Sequence, residues 1–148
     1  MWNEIANNRD VLSFMERVQH FHDSCIKELK YVSGAYVAED LSMYPINDQR
    51  VLRVIVQRQF EDLSMLELEF TGLKYMKLFP TDVRYTCEIL DSAMLIKDGY
   101  IYWCDSADIT KSELENYKGT LICAEKLRWR AIPSNKGNAE FFTAQENM

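Results

Sequence analysis

The two histidines of the chain, His20 and His22, lie beside Asp23. Imidazole nitrogens and carboxylate oxygens are ligands for zinc and related metals, and a His–Asp pair can move protons in catalysis. A structural role is the competing interpretation, because Asp23 and Ser24 can hydrogen-bond to nearby backbone where a helix gives way to a strand. A metal site would need a distant carboxylate or cysteine, such as Asp105, since there is no third histidine. We assign no catalytic residue, metal ligand or cofactor, and keep a metal-dependent hydrolase using His20, His22 and Asp23 as an alternative.

A second group that could do chemistry is acidic: Asp105 and Asp108, with Glu113 and Glu115 beyond them. Paired carboxylates can hydrolyse glycosides or bind a hard cation. The segment lacks the glycine and closing glutamate of an EF-hand loop, and helix caps use the same residue types. Trp103 precedes the group on a predicted strand, where an outward-facing aromatic would mark a binding surface and an inward-facing one would pack in the core. The candidate binding residues are His22, Asp23, Trp103, Asp105 and Asp108.

The charge balance limits the classes of partner. The 148 residues include 17 Lys and Arg against 23 Asp and Glu, a formal net charge of -6. This argues against a nucleic-acid binder, which neutralises phosphates with basic residues, and against an anionic membrane surface. An acidic protein instead fits a basic protein partner. No Gly-rich phosphate loop, GxSxG or HExxH sequence is present, which favours a protein that is not an enzyme.

Cysteine usage and the first residues predict the compartment. No two of the four cysteines have the CxxC spacing, and each lies in a predicted strand, where a reduced thiol behaves as a small apolar group. The first residues lack a basic region followed by an apolar run, so we expect no signal peptide. No apolar run approaches the roughly 18 residues of a membrane span. We therefore expect a cytoplasmic protein with reduced thiols and no membrane contact.

The elements that would position these residues are organised around the segment 51–79. Apolar residues alternate with polar ones in its first and second halves, which predicts two strands joined by a short turn at 61–64. Gly72 in the second half indicates a bulge or a bend. A helix is predicted over 8–20, from apolar residues at helical spacing and a cap at Asn7 or Asn8.

Further elements follow from turn and cap signals. Asp98-Gly99 lies between two apolar runs and predicts a hairpin, because both residue types tolerate positive φ. Thr110 and Glu113 have the spacing of a capping box, which predicts a short helix over 111–118. The remaining predictions are strands over 25–32, 35–38, 85–90 and 121–130, and a loop over 39–50.

The sum of these elements predicts an α+β domain. Strands do not alternate regularly with helices, so we expect a large, mostly antiparallel sheet, either curved or partly closed into a barrel, with the N-terminal helix packed against it. We place a single domain over 1–133 and a flexible C-terminal tail over 134–148. A long exposed edge strand would make a homodimer possible.

Several short segments resemble one protein family. They are Phe21-His22-Asp23-Ser24 running into Ile26 and Leu29, the alternating Leu66–Phe70 followed by Gly72, Tyr102-Trp103-Cys104-Asp105, and Gly119-Thr120 leading to Ala124 and Leu127-Arg128-Trp129. Together they resemble the immunity-type proteins of bacterial polymorphic toxin systems (immunity protein 50 and relatives). The resemblance implies a cytoplasmic protein that neutralises a toxin by protein–protein contact, without catalysis.

The leading hypothesis is therefore a bacterial, non-catalytic protein-binding module of the immunity type. Two alternatives stay open: the metal-dependent hydrolase described above, and a small-molecule binder in a cavity of the sheet.

Overall fold

The alternating segment in the middle of the chain forms two adjacent strands of a sheet in the computed structural model, which describes residues 1–134 and 136–139. Leu52, Val54 and Val56 lie opposite Phe70, Leu68 and Leu66 in an antiparallel ladder, as the alternation predicts. Most of the predicted tail over 134–148 lies outside the described residues. The described elements are β1 (Asn3–Ile5), α1 (Asn8–Arg17), β2 (Ser24–Val32), β3 (Tyr36–Val37), β4 (Met43–Tyr44), β5 (Val51–Arg58), β6 (Met65–Lys77), β7 (Ala93–Lys97), β8 (Tyr100–Cys104) and β9 (Leu121–Ala131), with 3-10 helices at Gln19–Phe21 and Lys111–Asn116.

Seven of these strands form one antiparallel sheet in the described part of the chain. Their order is β2-β5-β6-β9-β8-β7, and β1 pairs with the half of β9 that β8 leaves free. The prediction of an α+β fold with a mostly antiparallel sheet is confirmed. The alternative of a partly closed barrel is wrong, because the strand order begins at β2 and ends at β7 without closing.

The N-terminal helix begins where predicted and ends earlier than predicted. The side-chain oxygen of Asn7 accepts a hydrogen bond of 2.9 Å from the backbone nitrogen of Asp10, which caps the first turn. The helix ends at Arg17 rather than at His20, because φ at residues 19–21 lies between 48° and 61°, a left-handed conformation that an α-helix does not continue through.

One face of α1 covers the main core of the sheet. Val11, Phe14 and Met15 are its buried residues, and the ring of Phe14 stacks on Trp129 of β9 at 4.8 Å between centroids. In the described residues no helix has the length and apolar character needed to cross a membrane.

The alternation of residues that face the main core shifts by one position about halfway along β6 and β9. Phe70 and Leu73 on β6, and Ala124 and Leu127 opposite them on β9, all pack in the main core. Strict alternation would place residues three apart on opposite faces. Gly72 lies between the two registers with φ +67°, and the pairing shifts just beyond it, so the predicted bulge is confirmed.

Beyond this bend the other face of the sheet carries a second apolar cluster. Leu114 covers it from the 3-10 helix Lys111–Asn116, whose start has the predicted capping box of Thr110 and Glu113. The helix is shorter than the predicted 111–118. The buried members of the cluster are Tyr102, Cys104, Leu114, Leu121 and Cys123.

Two acidic side chains are buried on the face of β6 that points away from the main core. Glu67 and Glu69 are only 3% and 7% exposed, although the alternation predicts a solvent-facing side there. Arg130 lies 3.2 Å from Glu67, and the Trp2 ring lies 4.1 Å and 4.4 Å from the guanidinium carbons of Arg128 and Arg130. Arg128 and Arg130, near the end of β9, are therefore paired with acidic side chains of β6.

One strand prediction and one loop prediction differ from the structure. No strand forms over 85–90, where Tyr85 and Leu90 are exposed and Ile89 alone bridges to Ser24. A single bridge does not offset the entropy of ordering a strand. In contrast, Met43–Tyr44 forms a strand inside the predicted loop 39–50 and pairs with Tyr36–Val37.

Candidate protein-binding surface

The two histidines and Asp23 lie in the turn that joins α1 to β2. Nδ1 of His22 is 2.7 Å from the carbonyl oxygen of Leu90, and Nε2 is 3.2 Å from a carboxylate oxygen of Asp23. The carbonyl oxygen of His20 accepts a hydrogen bond of 2.9 Å from the Ser92 hydroxyl. Each ring nitrogen of His22 therefore has a polar partner nearby. The contacts with Leu90 and Ser92 attach this turn to the segment before β7.

Asp105 closes a different loop, between β8 and β9. Its carboxylate accepts hydrogen bonds from the Tyr117 hydroxyl and from the backbone nitrogen of Thr120. Burial, and then the hydrogen bond to Asp105, raise the pKa of Tyr117 above its usual range. At Gly119 a Cβ would lie 2.7 Å from the Asp105 carboxylate, so a side chain there would displace this contact. Asp105 thus holds the loop that covers the second cluster.

Trp103 and Asp108, the other two candidate binding residues, differ in burial. Trp103 is buried in the main core, where it meets the edge of Phe21 at 5.7 Å between ring centroids. Its indole nitrogen has no hydrogen-bond partner among the described residues. Asp108 is exposed in the loop after β8. Among residues 1–134 and 136–139, no group of three His, Cys, Asp or Glu side chains is arranged to bind a metal ion.

Two cavities are relevant to the binding of a small molecule. An apolar void inside the main core, lined in part by Phe21, Val54 and Trp103, measures about 10 Å³. An open groove of about 400 Å³ lies between β2 and the segment 78–89, with Trp103 and Asp105 in its wall. Ligand sites usually measure about 300–1,000 Å³, so the groove has a suitable size and the void does not.

A short hairpin outside the main sheet exposes a cluster of large apolar side chains. In this hairpin β3 pairs with β4, and the rings of Tyr36 and Tyr44 stack at 5.1 Å with 24° between their planes. We call residues 36–48 the β3–β4 hairpin. Its large apolar side chains are between 40% and 82% exposed. They are Tyr36, Val37, Leu41, Met43, Tyr44 and Ile46.

The β3–β4 hairpin is firmly attached to the sheet at its base. The carbonyl oxygen of Ser33 accepts hydrogen bonds from the backbone nitrogens of Gln49 and Arg50, at 3.0 Å and 3.1 Å. Gly34 turns the chain with φ +102°, and a Cβ there would lie 2.9 Å from the Gln49 nitrogen. These contacts close the loop where it leaves β2 and returns to β5, so the exposed side chains are held on a defined backbone.

The tip of the hairpin has its own hydrogen bonds. The backbone nitrogen of Ala38 donates to the carbonyl oxygen of Ser42 at 2.8 Å. The carboxylate of Asp40 accepts from the backbone nitrogen of Ser42 at 2.9 Å and from its hydroxyl at 2.6 Å. Both bonds lower the pKa of Asp40, so its carboxylate is ionised at neutral pH. The tip is therefore ordered and negatively charged.

Sequence reasoning does not select this surface. The five candidates chosen from the sequence all lie elsewhere, and the pattern over 39–50 predicts a plain loop. A signal is nevertheless available, because Leu41, Met43, Tyr44 and Ile46 are apolar residues in a stretch whose turn residues argue against burial.

The β3–β4 hairpin therefore combines exposed aromatic and aliphatic side chains, a fixed backbone and negative charge, which together suit contact with another macromolecule. Comparisons of the chain with protein-family models, with curated proteins and with solved structures find no match.

Proposed function

We propose that this chain is a bacterial, cytoplasmic, non-catalytic protein-binding module of the immunity type, which neutralises a toxin protein by covering part of its surface. The single observation that carries the proposal is the β3–β4 hairpin, with its cluster of exposed large apolar side chains. The resemblance of the sequence to immunity-type proteins supports the same function.

Energetics favour binding at this surface. Fully burying a large apolar side chain contributes about 1.5–3 kcal/mol, and the hairpin leaves six such side chains between 40% and 82% exposed. Tyrosine and methionine are enriched in the buried centres of protein interfaces, and aromatic residues are common among the side chains that dominate binding energy. A partner that covers Tyr36, Met43 and Tyr44 would remove this exposed apolar area from water.

Pre-organisation adds to this advantage. The stacked rings of Tyr36 and Tyr44 and the base contacts through Ser33 hold the surface before a partner arrives. Ordering a flexible side chain at an interface costs about 0.5–1.5 kcal/mol, and much of this cost is met when the hairpin folds.

The test compares two double variants of the full chain. Tyr36→Ser with Tyr44→Ser removes the apolar centre of the hairpin. Tyr85→Ser with Leu90→Ser is the matched control, because both of these side chains are 68% exposed but lie outside the hairpin. Each immobilised protein is exposed to an extract of the cells that make it, and a captured protein is then purified and titrated by calorimetry.

We expect the hairpin variant to bind the purified partner about 100-fold more weakly, and the control to bind within about twofold of the unaltered protein. Equal binding by all three proteins would remove the hairpin from the interface. A purified sample that turned over a substrate would contradict the non-catalytic part of the proposal.

The groove beside β2 supports a second candidate function, the binding of a small molecule. Its wall includes Trp103, Asp105 and Cys87, and its volume is about 400 Å³. A screen of metabolites by thermal unfolding tests this function. A ligand that raises Tm in the unaltered protein and not in Phe79→Ser, at an exposed residue of the groove wall, would support the groove, whereas a ligand insensitive to that change would bind elsewhere.

A further inference from the structure

We infer that the partner of the β3–β4 hairpin presents a basic surface around an apolar centre; this inference rests on the proposed function and deepens it. The segment 33–49 contains Glu39, Asp40 and Asp48 and no Lys, Arg or His. The exposed apolar side chains of the hairpin are therefore accompanied by negative charge alone.

The negative charges flank the apolar centre rather than interrupt it. Glu39 and Asp40 lie at the tip, beside the exposed Leu41. Asp48 lies at the base, where its carboxylate accepts a hydrogen bond of 3.1 Å from the Tyr44 hydroxyl.

These carboxylates have no cationic partner among the described residues. Asp40 accepts hydrogen bonds from Ser42, and Asp48 accepts from Tyr44; both donors are neutral. Elsewhere the fold pairs acidic groups with arginine, as at Glu67 with Arg130. The hairpin carboxylates thus remain available to cations on a partner.

A second copy of this chain is a poor occupant of the same surface. Two hairpins in contact would bring together six carboxylates with no basic residue between them. Like charges that face each other across an interface oppose association. A basic surface avoids this repulsion and also gains faster, salt-dependent association.

The probe is a phage-displayed library of random peptides, selected on the full-length protein and counter-selected on Tyr36→Ser with Tyr44→Ser. Peptides that need the hairpin are synthesised and their dissociation constants are measured at low and at high salt. We expect these peptides to contain Lys or Arg beside aromatic or aliphatic residues. We expect their binding to weaken at least about tenfold between about 50 mM and about 300 mM salt.

A charge-removal variant and a matched control complete the design. Glu39→Gln, Asp40→Asn and Asp48→Asn together keep the hydrogen-bond acceptors for Ser42 and Tyr44 while removing three charges. The control removes the same charge from exposed positions outside the hairpin: Glu16→Gln, Asp98→Asn and Glu115→Gln. We expect at least about tenfold weaker peptide binding for the first variant and less than about twofold for the control.

The outcomes separate this inference from the proposed function. Hairpin-dependent peptides that are neutral or acidic, or that bind both charge variants equally, would overturn the basic partner and leave a protein-binding hairpin. Failure to obtain any hairpin-dependent peptide would count against the proposed function itself. Dimerisation of the chain in sedimentation experiments, lost in the Tyr36→Ser, Tyr44→Ser variant, would assign the surface to a second copy and overturn the inference.

Discussion

The carboxylate of Glu69 lies between two arginines from the neighbouring strands, 2.7 Å from Nε of Arg128 on β9 and 3.4 Å from Nε of Arg53 on β5. The glutamate is nearly buried, whereas the side chains of Arg53 and Arg128 are 29% and 37% exposed. This arrangement lets acidic and basic residues occupy the centre of a sheet face, beside the small apolar cluster of Ile55 and Met65.

Glu69→Ala is expected to lower the free energy of unfolding by about 2 kcal/mol, because it leaves two partly buried guanidinium groups without their carboxylate. The value lies below the roughly 3–5 kcal/mol of fully buried pairs, since both arginines retain some water. Urea denaturation measures it. Glu16→Ala on the exposed side of α1 is the control and should change stability by less than about 0.5 kcal/mol. A Glu69→Ala effect no larger than that of the control would contradict the pairing.

Gly72→Ala tests the bend at which the alternation of core-facing residues along β6 shifts by one position. Gly72 has φ +67°, and a Cβ there would lie 2.8 Å from the side-chain carboxyl carbon of Glu125. Gly99→Ala is a matched comparison, because Gly99 has φ +81° and a Cβ there would meet no atom within 4 Å. Both variants carry the backbone cost of about 1–3 kcal/mol. We expect Gly72→Ala to lose more stability in urea than Gly99→Ala, and equal losses would show that Glu125 moves away freely.

Thiol labelling should follow burial. Cys87 is exposed, whereas burial raises the pKa of Cys25, Cys104 and Cys123 above the usual value and so lowers their thiolate content. With iodoacetamide at about pH 8, we expect peptide mass spectrometry to find Cys87 labelled first. Cys104 and Cys123 should be labelled only after unfolding. Early labelling of Cys123 would show that the second cluster opens readily.

The free energy of unfolding should fall at alkaline pH, because Tyr102 and Tyr117 ionise less readily in the folded protein than in the unfolded chain. Burial raises the pKa of Tyr117 and of Tyr102 in the folded protein, whereas an unfolded tyrosine titrates near about 10. The stabilisation that these phenols contribute is therefore fully present below about pH 10 and is lost as the pH rises further. Unfolding by urea at a series of pH values measures this loss. Tyr117→Phe removes one titrating group and should show a smaller fall, and an identical fall would assign the effect to other residues.

Local signals in the sequence are enough to predict several elements. Asn7 caps α1, and Asp98 and Gly99 turn the β7–β8 hairpin with φ of 52° and 81°, because these conformations depend on neighbours in the chain. The pairing of His22 with Asp23 is local as well.

The remaining features depend on residues far apart in the sequence. Alternation predicts a solvated face for Glu67, but Arg130 lies 63 positions away and no local pattern announces that pair. The role of Asp105 depends on Tyr117 and Thr120, which the loop brings back to the end of β8. For the hairpin, the apolar residues are visible in the sequence but their exposure is not, because periodicity reports which residues share a face and not whether anything covers that face.

The pairing of β1 with β9 has a consequence for how the protein is made. Asn3 lies opposite Trp129, and Ile5 lies opposite Leu127, so the first strand has to wait for a partner at the far end of the described chain. On the ribosome, Trp2 and β1 emerge long before Arg128 and Arg130 are synthesised. Contacts between distant residues slow folding, because the loop between them is ordered before they form. The sheet therefore completes this ladder only after β9 has been synthesised, and until then β6 lacks the strand that pairs with its second edge.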